Sequence, residues 1–86
     1  MSPTVLRKDG FKFFFYSREM NEPPHVHVTK GGGAAKLWLD PPELEEIYGF
    51  NANERRAILT IVEDHQDQLL ECWHDYFGQE PPRHQR

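Results

Sequence analysis

Two histidines separated by a single valine, in the run Glu22-Pro23-Pro24-His25-Val26-His27-Val28, are the residues of this 86-residue chain whose type and spacing bear most directly on chemistry. On an extended segment successive side chains alternate, so both imidazoles lie on one face and both valines on the other. Paired imidazoles at this spacing can share a metal ion, move protons near neutral pH or grip an anion. Three kinds of site follow from them, and each needs further residues.

A metal site needs more than two nitrogens. Structural zinc takes four ligands, and catalytic zinc takes three with one position open. Beyond His25 and His27, the residues available as a third ligand are Glu22, Asp40 and His65. A metal-independent ribonuclease needs an acid–base pair and a cation for the phosphate, roles that fall to His25, His27 and Lys36. A binding face needs neither. It combines His25, His27, Lys36, Trp38 and Tyr16, aromatic and cationic groups of the kind that contact single-stranded RNA or another protein. The single Cys72 and the absence of a serine in a nucleophile-elbow setting give nucleophilic catalysis little support.

The elements that must position these residues are strands first, then helices. Thr4 to Arg7 and Phe11 to Tyr16 flank Lys8-Asp9-Gly10, and Asp-Gly between apolar runs marks a hairpin. His25 to Thr29 and Ala34 to Leu39 form a second hairpin across Gly31-Gly32-Gly33. That triplet reads as a turn, since it precedes a strand and lacks the Lys-Ser/Thr of a phosphate-binding loop. Burying a valine is worth roughly 1.5–3 kcal/mol, whereas an unpaired buried imidazole costs free energy. Val26 and Val28 are therefore expected inward with Ala35, Leu37 and Leu39. His25, His27, Lys36 and Trp38 are expected outward, with Lys12, Phe14 and Tyr16 sharing that side.

After residue 39 the pattern turns helical. Asp40-Pro41-Pro42-Glu43 carries a capping residue, a proline suited to the first turn and a glutamate three residues on, predicting a short helix Pro41 to Tyr48 that ends at Gly49. Asn51-Ala52-Asn53-Glu54 repeats the capping arrangement and opens one long helix running to about Phe77. Its apolar stripe contains Ile58, Ile61, Val62, Leu69, Cys72, Trp73 and Tyr76. His65 lies within that stripe and is expected to satisfy a ring nitrogen with a backbone carbonyl or a tyrosine hydroxyl. Trp73 is expected to anchor the helix to the sheet.

Composition sets the outer limits. A chain of this length forms one small domain, read as residues 1–78 with a tail at 79–86, and its six Phe, three Tyr and two Trp supply core bulk. A net charge of −4 offers no global attraction for nucleic acid. No apolar run approaches the ~20 residues of a membrane span, and the single cysteine fits a reducing compartment, so a cytoplasmic protein is expected.

Several of these residues occur together in a known pattern. Pro3-Thr4-Val5-Leu6, the aromatic strand, Glu22-Pro23-Pro24-His25-Val26-His27-Val28, Ala35-Lys36-Leu37-Trp38-Leu39 and His65…Leu69-Leu70-Glu71-x-Trp73 resemble the bacterial "domain of unknown function 4160" family, from Pro3 to Gly78. His25, His27, His65 and Trp73 fall on that family's motif positions. The resemblance implies a small prokaryotic protein encoded beside another short gene, of the type labelled toxin–antitoxin components, and hence a partner protein. The expected architecture is α+β: a four-stranded, mainly antiparallel sheet of two hairpins, with a short and a long C-terminal helix on one face. Three functions stay open: a toxin-like partner-binding component, a ribonuclease or metal-dependent hydrolase built on the histidines, and a structural or dimerising module.

Overall fold

The computed structural model describes residues 4–16 and 21–77. The segment read as a tail, 79–86, lies outside the described residues. Within them, the chain forms β1 (Thr4–Lys8), β2 (Phe11–Phe14), β3 (His25–Lys30), β4 (Gly33–Leu39), β5 (Pro42–Tyr48), α1 (Ala52–Asp64) and α2 (Gln66–Phe77). The class is α+β, and the sheet is an antiparallel meander in the order β1-β2-β3-β4-β5.

Local chemistry accounts for the turns. Asp9 and Gly10 both take positive φ, 54° and 86°, which is the backbone that matches the right-handed twist of a two-residue hairpin. The pair Lys8↔Phe11 closes it. Gly31 and Gly32 make the next turn, between Lys30 and Gly33. At the far end of β3, the amide of Leu39 donates to the Pro24 carbonyl at 3.0 Å, extending the ladder into the proline pair.

The fifth strand corrects the expected short helix at Pro41 to Tyr48. Asp40 and Pro41 form a hairpin turn closed by Leu39↔Pro42, with a cis Asp40–Pro41 peptide. The apolar residues of this segment, Leu44 and Ile47, are three apart, which imitates a helical period. In the sheet the same spacing arises from a bulge: Leu37 faces Leu44 while Lys36 faces Glu46, leaving Glu45 as the extra residue. One inserted residue lets Leu44 and Ile47 both pack against the core.

The long helix also divides. Asn51 caps α1 as expected: its side chain accepts from the Glu54 amide at 2.8 Å, and the Glu54 carboxylate accepts from the Asn51 amide at 2.9 Å. At the other end His65 leaves helical geometry, with ψ 18°. Its Nδ1–H donates to the Ile61 carbonyl at 2.8 Å, the acceptor that its own amide also uses. Side-chain bonding back to the i−4 carbonyl competes with the ladder and bends helices. Gln66 then pins the start of α2 to the sheet, its Nε2 donating to the Leu39 carbonyl at 2.8 Å.

The inner face of the sheet holds the core. Phe11, Phe13, Phe15, Val26, Val28, Ala35, Leu37 and Leu39 are buried with Ile58, Ile61, Val62, Leu69 and Trp73 of the helices. The valines of the His-Val-His-Val run therefore point inward, as their free energy of transfer requires.

Candidate functional site on the outer sheet face

Register places the outward side chains in rows across the strands. Thr4, Phe14, His27, Lys36 and Glu46 face one another in one row. Arg7, Lys12, Thr29, Ala34 and Tyr48 form the next. His25, Trp38 and Glu43 form a third. Directly opposed side chains in an antiparallel sheet lie about 4.5–5.5 Å apart at Cβ, so these rows are contact chains.

Ring geometry confirms the contacts. The His27 imidazole stacks on Phe14 with centroids 5.7 Å apart, meets Tyr16 edge-on at 4.4 Å and meets His25 at 5.2 Å. His25 in turn meets Trp38 at 5.6 Å. The Lys36 ammonium sits 4.8 Å above the Trp38 ring and 2.8 Å from the Glu22 carboxylate. The Trp38 indole N–H donates to Glu45 at 2.9 Å, so the bulge residue of β5 fixes the indole's orientation. The structure thus gathers Tyr16, His25, His27, Lys36 and Trp38 in one continuous patch.

His25 requires a correction. Its strand position is outward, yet it is 0% exposed, whereas His27 is half-buried. The cover comes from the helices: the Trp73 indole lies 5.0 Å from the His25 ring and 5.3 Å from Phe15. The His25 Nδ1–H donates to the Pro23 carbonyl at 2.9 Å, and the Glu22 carboxylate lies 3.7 Å from the same nitrogen. A carbonyl only accepts, so Nδ1 carries the proton, and burial is compensated by a hydrogen bond. His25 holds the loop before β3 and the end of α2 in place. It is not a surface ligand. His65 sits at the junction of α1 and α2 and is absent from this patch.

Among the described residues, no group of three or more His, Cys, Asp or Glu side chains is gathered as metal ligands. Glu22 approaches His25 only on the nitrogen that already donates to Pro23. Asp40 and His65 do not join the pair.

Reading Pro41–Tyr48 as a helix hides a second part of the patch. An open groove of about 260 Å³ lies on the β4–β5 side, lined by His27, Ala34, Lys36, Glu46 and Tyr48 among others. Ala34 is the small residue of its row, and the larger neighbours rise around it. Tyr48 is 75% exposed, more than the other exposed large hydrophobics, Tyr16 and Tyr76. The alternation Glu43-Leu44-Glu45 was the available sign of a strand, and the bulge ends it after three residues.

Residues 10–74, most of the chain, match the family described as Domain of unknown function (DUF4160). The chain belongs to that family. Neither the curated proteins nor the solved structures give a match. In this DUF4160 domain the matched span runs from the first hairpin turn to the last turns of α2, so it contains the complete His25–Trp73 contact and every strand of the outer patch except β1. No helix among the described residues is long and apolar enough to cross a membrane.

Proposed function

We propose that this chain is a protein-binding component of a bacterial two-gene locus, the toxin-like member of a toxin–antitoxin pair acting in the cytoplasm, and that it meets its partner through the outer sheet face. The observation that carries this reading is the asymmetry of the sheet. Helices cover the inner face, and the outer one presents Tyr16 and Trp38 beside a groove that His27 and Tyr48 help to line. Exposed aromatics ringed by polar groups are the composition of an interface core and rim.

Charge favours a protein over RNA as the occupant. Lys36 is paired with Glu22; Glu43, Glu45 and Glu46 stand on the adjoining strand; and Arg7 and Lys12 lie apart on the β1–β2 side. A phosphate backbone approaching Lys36 meets carboxylates on the way, and phosphate contacts supply most RNA and DNA affinity. The ribonuclease and hydrolase readings also weaken, because each draws on two accessible imidazoles and His25 is sealed.

The test is co-expression with the product of the neighbouring gene, followed by size-exclusion chromatography at micromolar concentration. Co-elution is expected. A Tyr16→Ala/Tyr48→Ala variant with an unchanged melting temperature should lose it. Expression of the chain alone should slow growth, and co-expression should relieve the arrest. Separate elution of the two wild-type proteins contradicts the reading.

A further inference from the structure

The outer face is electrically divided. On the β1–β2 side its outward charges are Arg7 and Lys12, which face each other across the strands. On the β4–β5 side Glu43, Glu45 and Glu46 line the edge strand, with Glu22 paired to Lys36. Between the halves lies β3 with His27 outward, flanked by Phe14 on β2 and Trp38 on β4. A face that is cationic at one edge and anionic at the other, with aromatic rings between, is complementary to itself after a half-turn. An isologous two-fold contact demands that property.

We infer that the outer sheet face pairs with a second copy of this chain, about a two-fold axis lying in the interface and running along β3. This inference rests on the reading of that face as the contact surface: the second copy occupies it when the neighbouring gene's product is absent, and the two compete for it. The half-turn lays β1 over the partner's β5 and β2 over the partner's β4, keeping each row in register. Arg7 then stands over Tyr48 of the partner subunit, and cation–π contact with an exposed ring is favourable. Lys12 stands over Ala34 of the partner subunit, the floor of the groove that Glu46 and Tyr48 help to wall. A long side chain is matched to a depression, and an ammonium to a carboxylate. Sheets stack face to face about 10 Å apart with strands within about 30° of parallel, which leaves room for this interdigitation.

The contact is modest in size. Five strands span roughly 19 Å at about 4.8 Å per step, so the interface falls at the small end of specific complexes, with dissociation in the range of about 1–100 µM.

Sedimentation velocity on the whole chain across that concentration range is the test. Wild type is expected to pass from monomer to dimer, with tighter association at low salt. The charge reversals R7E/K12E and E43K/E46K should each weaken it at least about tenfold. An equimolar mixture of the two should restore a heterodimer, since each variant now carries the charge the other lacks. E63K, on an exposed position of α1, should leave the dimer unchanged. Far-ultraviolet circular dichroism and the melting temperature confirm folding of each variant. A wild-type monomer throughout, reversals without effect, or folded variants that fail to complement each other overturns the inference. If monomeric wild type still co-elutes with the neighbouring gene product, the dimer is lost and the partner reading stands. A complementing dimer that binds no second protein gives the converse.

Discussion

The His25 imidazole and the Trp73 indole lie with their ring centres 5.0 Å apart, which joins the first residue of β3 to the third turn of α2. Trp73 also packs on Phe15 and Phe77, and His25 also bonds the Pro23 carbonyl, so the contact ties the core to the loop before β3. The pair turns an outward strand position into an interior one and divides the two histidines of the His-Val-His run by role.

That division gives opposite expectations for neighbouring substitutions. His25→Ala should destabilise the protein by roughly 2–4 kcal/mol, because it empties a buried volume and leaves the Pro23 carbonyl without its donor. His27→Ala, on a half-buried surface position, should cost no more than about 1 kcal/mol. Urea denaturation of both variants checks this, and equal losses would contradict it.

Gly33 supports the β3–β4 turn through lack of a side chain. A Cβ there would overlap the Phe50 ring, while one at Gly32 meets nothing within 4 Å. Phe50 packs edge-on to Phe11 at 5.8 Å, so it has little freedom to withdraw. Gly33→Ala should therefore cost about 1–3 kcal/mol by overpacking, and Gly32→Ala should be near neutral. The difference in urea midpoint between the two variants reads it directly.

The reciprocal bonds between Asn51 and Glu54 close the first turn of α1. Asn51→Ala removes the acceptor for the Glu54 amide and should cost about 1 kcal/mol. Substituting Ser should recover most of that loss. A thermal melt of the two variants beside wild type is sufficient.

Burial and, secondarily, the carboxylates of Asp75 and Glu71 push the Cys72 thiol above its ordinary value. Alkylation of the folded protein near pH 8 should be slower than that of the urea-unfolded chain, and the gap should close as pH rises. The sign for stability follows from linkage. The folded state holds the thiol proton more tightly, so this contribution is complete below the unfolded value and is lost as pH climbs through the raised one. Glu71→Gln/Asp75→Asn should speed alkylation at fixed pH.

Much of this arrangement was legible from residue type and spacing. The valines of the His-Val-His-Val run gave the orientation of β3. Asp9-Gly10 gave the first hairpin, and Asn51…Glu54 gave the start of α1. What escaped depends on contacts distant in sequence. Leu44 and Ile47 carry a helical spacing because a bulge inserts Glu45, and only pairing with β4 makes that insertion visible. The first helix ends at His65, where the ring nitrogen and the amide share the Ile61 carbonyl. His25 is buried because α2, redirected by that break, brings Trp73 onto it. The groove beside Tyr48 was lost with the strand that forms its wall.

The most direct test of the outer face as the contact surface is a nitrogen-15 titration of the labelled chain with the neighbouring gene's product. The indole N–H of Trp38 is a built-in reporter on that face, since it is held by Glu45. The expected result is a set of shifts confined to the Trp38 indole and the amides of Tyr16, His27, Lys36, Glu46 and Tyr48. Shifts gathered instead on the solvent side of α1, at Arg55, Glu63 and Asp64, with the Trp38 indole unmoved, would contradict the account.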